Sequence, residues 1–451
     1  MPKKNILVIL TDQQSATMMS CTGNAEVNTP ALDWLSQNGV RFERAYPTNP
    51  VCLPARFSFQ TGCYPSTVGI RSNPDGKNAK HFPDLESNTL GHRIRQGGYD
   101  VAYGGKVHLP SQMADVRKLG YEVLTSECRN ELAQQSASFI KQGRERPFFL
   151  FASFENPHDI CYMAINDYHR RQGQKPVQNI AYYTCEKLLA EAPTDKKDLP
   201  ELPDSAFGEI SAVRRQDPEV LEEFRKQRPF KHYAYTQWSE KQWRLHRWLY
   251  CRLTELVDKQ VGTLLEALDD SGQLEDTVII FTSDHGDVDG AHRMEHKTVF
   301  YEEALRIPFI VTQKGTTPDI VDTTHFVNNG LDLLPTLCDY ANVESPPGLL
   351  GYSVRPLAEG ESPSYWRDKC VIESEIGKYM ITERWKYCRL DFAGEEEVLI
   401  DRVEDPEEIV NLAGDPAYSD ALDSLRNELE EWEHQTSSLK KERGGDGGYV
   451  F

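Results

Sequence analysis

The chain has 451 residues, of which 39% are hydrophobic, 10% aromatic and 27% charged, an ordinary globular make-up with room for one to three domains. Its 50 Lys and Arg against 70 Asp and Glu give a formal net charge of −20, which argues against non-specific binding to nucleic acid or to an anionic membrane surface. Any anionic substrate must be drawn in by a local cationic pocket working against the overall field.

The start, MPKKNILVILTDQQ, sets basic residues before an apolar run, but Ile6 to Leu10 is shorter than the roughly 7–15 residues of a secretory h-region. It reads as a buried first strand. As the sequence stands this implies a cytoplasmic protein; a trimmed export signal would instead make it periplasmic or secreted. No apolar run approaches the roughly 20 residues that span a bilayer.

TPALDWLSQNG predicts a helix with Thr29 as N-cap, Pro30 in the first turn and Gly39 as terminator. VRFERAY follows as a strand. NTLGHRIRQGG reads as a helix running into the strand YDVAYGGK, and NELAQQSASFIKQG as a helix leading to the strong buried strand PFFLFASF. Residues 160–240 are polar, rich in charge and proline and weakly periodic, so they predict a long excursion over the active face. Trp238, Trp243 and Trp248, near its end, read as packing residues in preference to sugar-stacking platforms. A long helix over 243–269 and the strands TVIIFTSDHG and IPFIVTQ complete the pattern.

This βαβα rhythm predicts an α/β fold, with a large, mostly parallel sheet flanked by helices on both faces and ligands at the carboxyl ends of its strands. Past VESPPGLLG the composition changes. KYMITERWKYCRL, EEVLIDRVED and DALDSLRNELEEWEHQ predict a smaller antiparallel subdomain of two or three strands with one helix. The expected division is 1–345 and 346–451, with the tail GGDGGYVF loose.

Polar clusters fall where the strands end: Asp12 and Gln13; Lys106 and His108 in GGKVH; His158 in ENPHD; Asp284 and His285 in TSDHGD. Two aspartates, an amide oxygen and a histidine at one sheet edge suit a divalent cation, Ca²⁺ or Mg²⁺ by their oxygens and Mn²⁺ or Zn²⁺ by the histidine. Taken singly, each aspartate is as well explained by a turn, and each histidine by a satisfied core position. Lys106, Lys297 and Arg56 are the cations available to offset the acidity locally. The ten cysteines show no CxxC spacing and read as mostly free, inert thiols. Cys52 is the exception by context, in NPVCLPARFSFQTGCYP.

Cys52-Leu-Pro54-Ala-Arg56, with Thr61-Gly62 downstream, resembles the Cys-x-Pro-x-Arg signature of the type I sulfatases in the alkaline phosphatase superfamily. The resemblance runs from the first strand into the C-terminal subdomain. It implies that a formylglycine-generating enzyme oxidises Cys52 to formylglycine, an aldehyde whose hydrate is the gem-diol nucleophile. It implies a metal site of Asp12, Gln13, Asp284 and His285 together with residue 52, with Ca²⁺ preferred over Mg²⁺ or Mn²⁺. Arg56, Lys106 and Lys297 are implied to hold charge at the reacting centre, His158 to be the general acid, and His108 to be the base that releases sulfate. The implied activity is hydrolysis of a sulfate ester. The Asn156–Asp159 element and His285 favour a carbohydrate substrate. Gln13 and His285 stand where many members carry Asp and Asn, and the Asp-Gln pairing also occurs in phosphonate monoester and phosphodiester hydrolases, the alternative activity. An inactive binding relative with Cys52 never converted is the third reading.

Overall fold

The computed structural model describes residues 3–80, 87–208, 217–315 and 319–444. The main sheet takes β1 (Asn5–Asp12), β2 (Gly39–Phe42), β4 (Asp100–Gly105), β5 (Glu122–Val123), β6 (Phe148–Pro157), β7 (Thr277–Ser283), β8 (Phe309–Thr312) and β9 (Ile320–Asp322) in the order β5-β4-β6-β1-β7-β8-β2-β9. β3 (Ala45–Tyr46) pairs in parallel with β10 (Val327–Asn328) in a separate two-stranded ladder. In the main sheet all strands run one way except β8, which is antiparallel to both β7 and β2. This is the α/β architecture that the strand-helix rhythm predicts.

The sheet is two-sided because β1 is apolar on both faces. Ile6, Val8 and Leu10 pack with α2 (Cys52–Thr61), α3 (Leu90–Gln96) and α10 (Asn329–Ala341), through Phe57, Phe59, Ile94, Leu333 and Leu337. Leu7 and Ile9 face the opposite layer of α1 (Pro30–Gln37), α4 (Asn130–Ile140) and α9 (Glu240–Asp270), through Leu32, Leu35, Leu132, Val257, Val261 and Leu264. The register aligns Gly105 with Ser153, Leu10 with Ser153 and Thr282, and Thr11 with Ser283. The carboxyl ends of β4, β6, β1 and β7 are therefore level and adjacent.

Two local expectations are corrected. Thr29 occupies the N-cap position of α1, but its hydroxyl accepts from the Ser20 amide (2.8 Å) and does not cap the helix. The cap is Asp258 of α9, which accepts from Leu32 (2.9 Å) and Ala31 (3.3 Å). Gly39 is the first residue of β2, where a side chain would collide with the Val311 carbonyl of β8.

The excursion over 160–240 is helical: α5 (Cys161–Arg171), α6 (Ile180–Leu189), α7 (Glu219–Lys226) and α8 (Pro229–Gln237) lie within its described residues. Three of these helices bury only narrow stripes, which weakens the periodicity; α7 is the exception, burying Val220, Leu221, Phe224 and Arg225. Trp243, Trp238 and Trp248 are all buried, as packing residues.

A second, four-stranded antiparallel sheet of β11 (Cys370–Ser374), β12 (Gly377–Ile381), β13 (Trp385–Leu390) and β14 (Glu396–Asp401) follows. β11 is one strand more than the segments named from the sequence. One face carries Val371, Met380, Tyr387 and Leu399 against Leu422, Leu425 and Leu429 of α11 (Ser419–Gly444). The other face puts Ile372, Tyr379, Ile381 and Cys388 against Val299, Phe300, Tyr301 and Leu305. Buried Lys386 ties the two parts together, its Nζ 2.8 Å from Glu302 and 2.9 Å from the Phe300 carbonyl, with Glu408 as a further ion pair. All but the first glycine of the tail GGDGGYVF lies outside the described residues. No described helix is long and apolar enough to cross a membrane.

Candidate active site

Cys52 is the first residue of α2, all ten residues of which are buried. Pro54 lies in the first turn, where its missing N–H costs nothing. The helix ends at Gly62 with φ 64°, and a side chain there would also meet Leu349 at 2.9 Å, which explains the Thr-Gly close of the motif. Arg56 follows Cys52 by one turn and thus lies on the same face.

Asp12, Cys52, Asp284 and His285 are fully buried or nearly so, and one ligand atom from each lies within 4.8 Å of the others. Cys52 Sγ is 3.6 Å from Asp12 Oδ1 and 3.3 Å from His285 Nε2. The His285 ring nitrogen Nδ1 lies 2.9 Å from the Gly286 carbonyl, so it carries the proton and leaves the Nε2 lone pair facing the cluster. Two carboxylates, a histidine lone pair and residue 52 form a donor set that fits a divalent cation.

Arg56 bridges both acids: Nε is 3.0 Å from Asp284 Oδ2, and a terminal nitrogen is 2.9 Å from Asp12 Oδ2. Its other terminal nitrogen donates to Ser153 Oγ (2.7 Å) and the Lys106 carbonyl (3.0 Å). Lys106 Nζ reaches Asp12 (2.8 Å) and Glu155 (3.0 Å). Lys297 Nζ is 2.8 Å from Cys52 Sγ and 3.2 Å from His285 Nε2.

These charges set the protonation pattern. Burial would raise the Asp12 carboxyl, but Lys106, His158, Arg56 and Lys297 outweigh it and hold it well below the usual range. Burial and the Asp12 charge push Asp284 up to about 6. Burial and Asp12 oppose ionisation of Cys52, yet the ammoniums of Lys297 and Lys106 bring its thiol well below the ordinary value. Burial drives most of the other cysteines the opposite way: Cys21 and Cys338 to about 11, and Cys128, Cys161, Cys251 and Cys370 to about 12.

Lys297 is held by strained backbone between His296 (φ 72°) and Thr298 (φ 88°). The Thr298 carbonyl accepts from Ser374 Oγ (2.8 Å) and Tyr379 Oη (2.9 Å), so the C-terminal sheet fixes the loop that carries this lysine.

Asp12, Cys52, Arg56, Lys106, Asp284, His285 and Lys297 are thus brought into direct contact. Three of the residues picked from the sequence stand differently. His158 joins only through Glu155, whose Oε1 is 3.3 Å from His158 Nδ1, close but off the angle of a hydrogen bond. Gln13 (φ 68°) gives its backbone N–H to Asp284 (3.0 Å), while its side-chain amide contacts Asp287 (2.5 Å) and Cys161 (3.2 Å), not the four converging ligands. His108 (φ 45°) is exposed and hydrogen-bonds to none of the cluster's side chains among the described residues. Glu155, Asp287 and Ser153 were missed; the one signal was a lone carboxylate at the end of the apolar strand Phe148–Pro157.

The Sulfatase family matches residues 4–343, and the family described as "N-sulphoglucosamine sulphohydrolase, C-terminal" matches residues 290–435. The chain is 28% identical to a Delta 4,5-hexuronate-2-O-sulfatase of Bacteroides thetaiotaomicron, over 95% of this chain and 89% of the relative. The solved structure of a 2-O GAG sulfatase superposes with a TM-score of 0.75 at 24% identity, covering 99% and 97% of the two chains. The phosphonate monoester hydrolase of Agrobacterium radiobacter superposes with a TM-score of 0.72 at 21% identity, covering 96% of each chain. These two likenesses are of fold. With a family match along most of its length and a buried cysteine where the signature falls, this chain belongs to the sulfatase family of the alkaline phosphatase superfamily, a sulfuric ester hydrolase.

Proposed function

We propose that the protein hydrolyses a sulfate ester on a carbohydrate, using Cys52 in its formylglycine form and one divalent cation, preferably Ca²⁺. The observation that carries this is the convergence of Cys52 Sγ, two buried carboxylates, the His285 lone pair and two lysines at the N-terminus of one helix. The B. thetaiotaomicron relative named for a hexuronate 2-O-sulfate supports a sugar substrate. The catalytic part is taken as 1–345 and the C-terminal subdomain as 346–451.

When bound, the cation supplies Lewis acidity and positive charge at the reacting centre. The hydrated aldehyde supplies two hydroxyls, one to attack and one to drive release, which a serine lacks. Arg56 fixes the two aspartates and the start of α2 in one frame, so the nucleophile's position does not depend on substrate. Lys106 and Lys297 present two ammoniums that neutralise the sulfate oxygens as charge shifts toward them. His158, beside Glu155, protonates the departing sugar oxygen, a poor leaving group as an alkoxide. His108, at the exposed mouth, is the candidate base for release. Gln13 is a ligand only if its amide turns away from Asp287.

The test is sulfate release from a panel of sulfated mono- and oligosaccharides, run beside an aryl phosphonate. Sulfate release from a saccharide at a higher kcat/KM supports the proposal. Faster phosphonate hydrolysis would transfer it to the phosphonate monoester hydrolases, the reading favoured by the Asp12-Gln13 pair.

A further inference from the structure

Lys231 is only 9% exposed, and among the described residues its ammonium makes no ion pair and donates no hydrogen bond. Its Nζ rests 5.2 Å from the centroid of the Phe224 ring. A buried ammonium lacking a counter-ion is costly, and the ring quadrupole offsets only part of that cost. The nearby carboxylates are committed elsewhere. Glu375 pairs with Arg228 (2.7 Å), and Asp287 accepts from Gln13 and from the backbone amide of Asp289.

The position is beside the site. Lys231 lies on α8, which packs against α5, the helix that begins three residues after His158. Its neighbour Phe230 places its ring 5.3 Å from that of His296, the residue before Lys297. Burial first, then the charges of Lys231 and Lys297, keep His296 neutral. A third cation therefore stands near Lys297 in a chain of net charge −20, and the scissile sulfate, already met by Lys106 and Lys297, does not require it.

We infer that Lys231 binds a second anionic group of the substrate, a carboxylate or a second sulfate on the sugar, and so sets specificity for multiply charged saccharides. This rests on the carbohydrate-sulfatase reading above. In support, burial and Arg228 push the Lys231 ammonium down to about 7, as expected of a cation waiting for its counter-ion.

Lys231→Met and Lys231→Arg are compared with the parent on three probes: 4-nitrophenyl sulfate, a 2-O-sulfated hexuronate disaccharide, and glucosamine carrying two sulfates. For the dianionic probe that the parent prefers, Lys231→Met should lower kcat/KM relative to nitrophenyl sulfate by about tenfold to a hundredfold, the span of a lost hydrogen bond to a charged group. The loss should fall mainly on KM, and Lys231→Arg should recover part of it. Loss on the hexuronate identifies a carboxylate; loss on the disulfated sugar identifies a sulfate. The thermal midpoint of Lys231→Met should equal or exceed the parent's, because an unpaired buried charge has gone. Equal loss on all three probes, no loss on any, or a fall of several degrees in the midpoint would overturn the inference. If no sulfate ester is turned over, the carbohydrate-sulfatase reading fails. Lys231 is then decided by thermal upshift with the same two sugars, which should occur in the parent and be absent in Lys231→Met; equal shifts overturn it.

Discussion

Arg56 is the residue on which the site's electrostatics turn, and replacing it with glutamine makes the account quantitative. The guanidinium is 2% exposed and neutralises two carboxylates that are themselves 0% exposed. Without it Asp12 keeps Lys106, but Asp284 loses its nearest cation. Removing one partner of a buried ion pair costs about 3–5 kcal/mol. For 451 residues the unfolding entropy is about 0.9 kcal/mol per degree, so the apparent midpoint should fall by about 3–5 °C. That is the expectation in chelator. In saturating Ca²⁺ the cation should take over the compensation, and the gap between parent and Arg56→Gln should shrink by half or more. Thermal unfolding followed by intrinsic fluorescence, for both proteins in EDTA and in CaCl₂, measures all four midpoints. Equal midpoints in EDTA, or a calcium shift identical in both proteins, would refute the claim that Arg56 and a metal share these two aspartates.

Tyr379→Phe removes one of two donors to the Thr298 carbonyl and loosens the loop bearing Lys297. We expect kcat to fall about fivefold to tenfold, the equivalent of one ordinary hydrogen bond, with little change in KM, read by steady-state kinetics. Burial pushes the Asp258 carboxyl up to about 6 against the amides of Leu32 and Ala31. Because its folded-state pKa is raised, the folded state holds the proton more tightly. The stability that this group contributes is complete below about pH 4 and lost as pH rises through 6. Relative to Asp258→Asn, the parent should lose about 3 kcal/mol across that window in urea titrations at several pH values. Lys386→Met leaves the buried Glu408 without its cation, while the half-buried Glu302 keeps Arg402, so it should cost about 3–5 kcal/mol in denaturant unfolding.

What the sequence disclosed follows from where chemistry meets periodicity. Asp12, Lys106, His158 and Asp284 each stand at or just past the end of a largely apolar strand, and such strands end level in a parallel sheet, so these residues announce a shared edge. Arg56 was readable from its four-residue spacing to Cys52. The rest depended on contacts that no local pattern encodes. Whether the Gln13 amide faces the ligands or Asp287 is set by a backbone φ of 68° and by α5, which is remote in sequence. Glu155 looks like a strand end until Lys106 and His158 arrive on either side of it. Asp258, a charge in the middle of a long helix, caps a helix more than 200 residues earlier. Most of the helices at 160–240 hid because their buried stripes are narrow, and Lys231 among them looks like any surface lysine.

The most direct test is the mass of the tryptic peptide Ala45–Arg56, taken from enzyme co-expressed with a formylglycine-generating oxidase and assayed on a sulfated saccharide. The account predicts an aldehyde in place of the Cys52 thiol, with sulfate release proportional to the converted fraction and absent in Cys52→Ser. Full sulfatase turnover by protein whose Cys52 is still an unmodified thiol would contradict it.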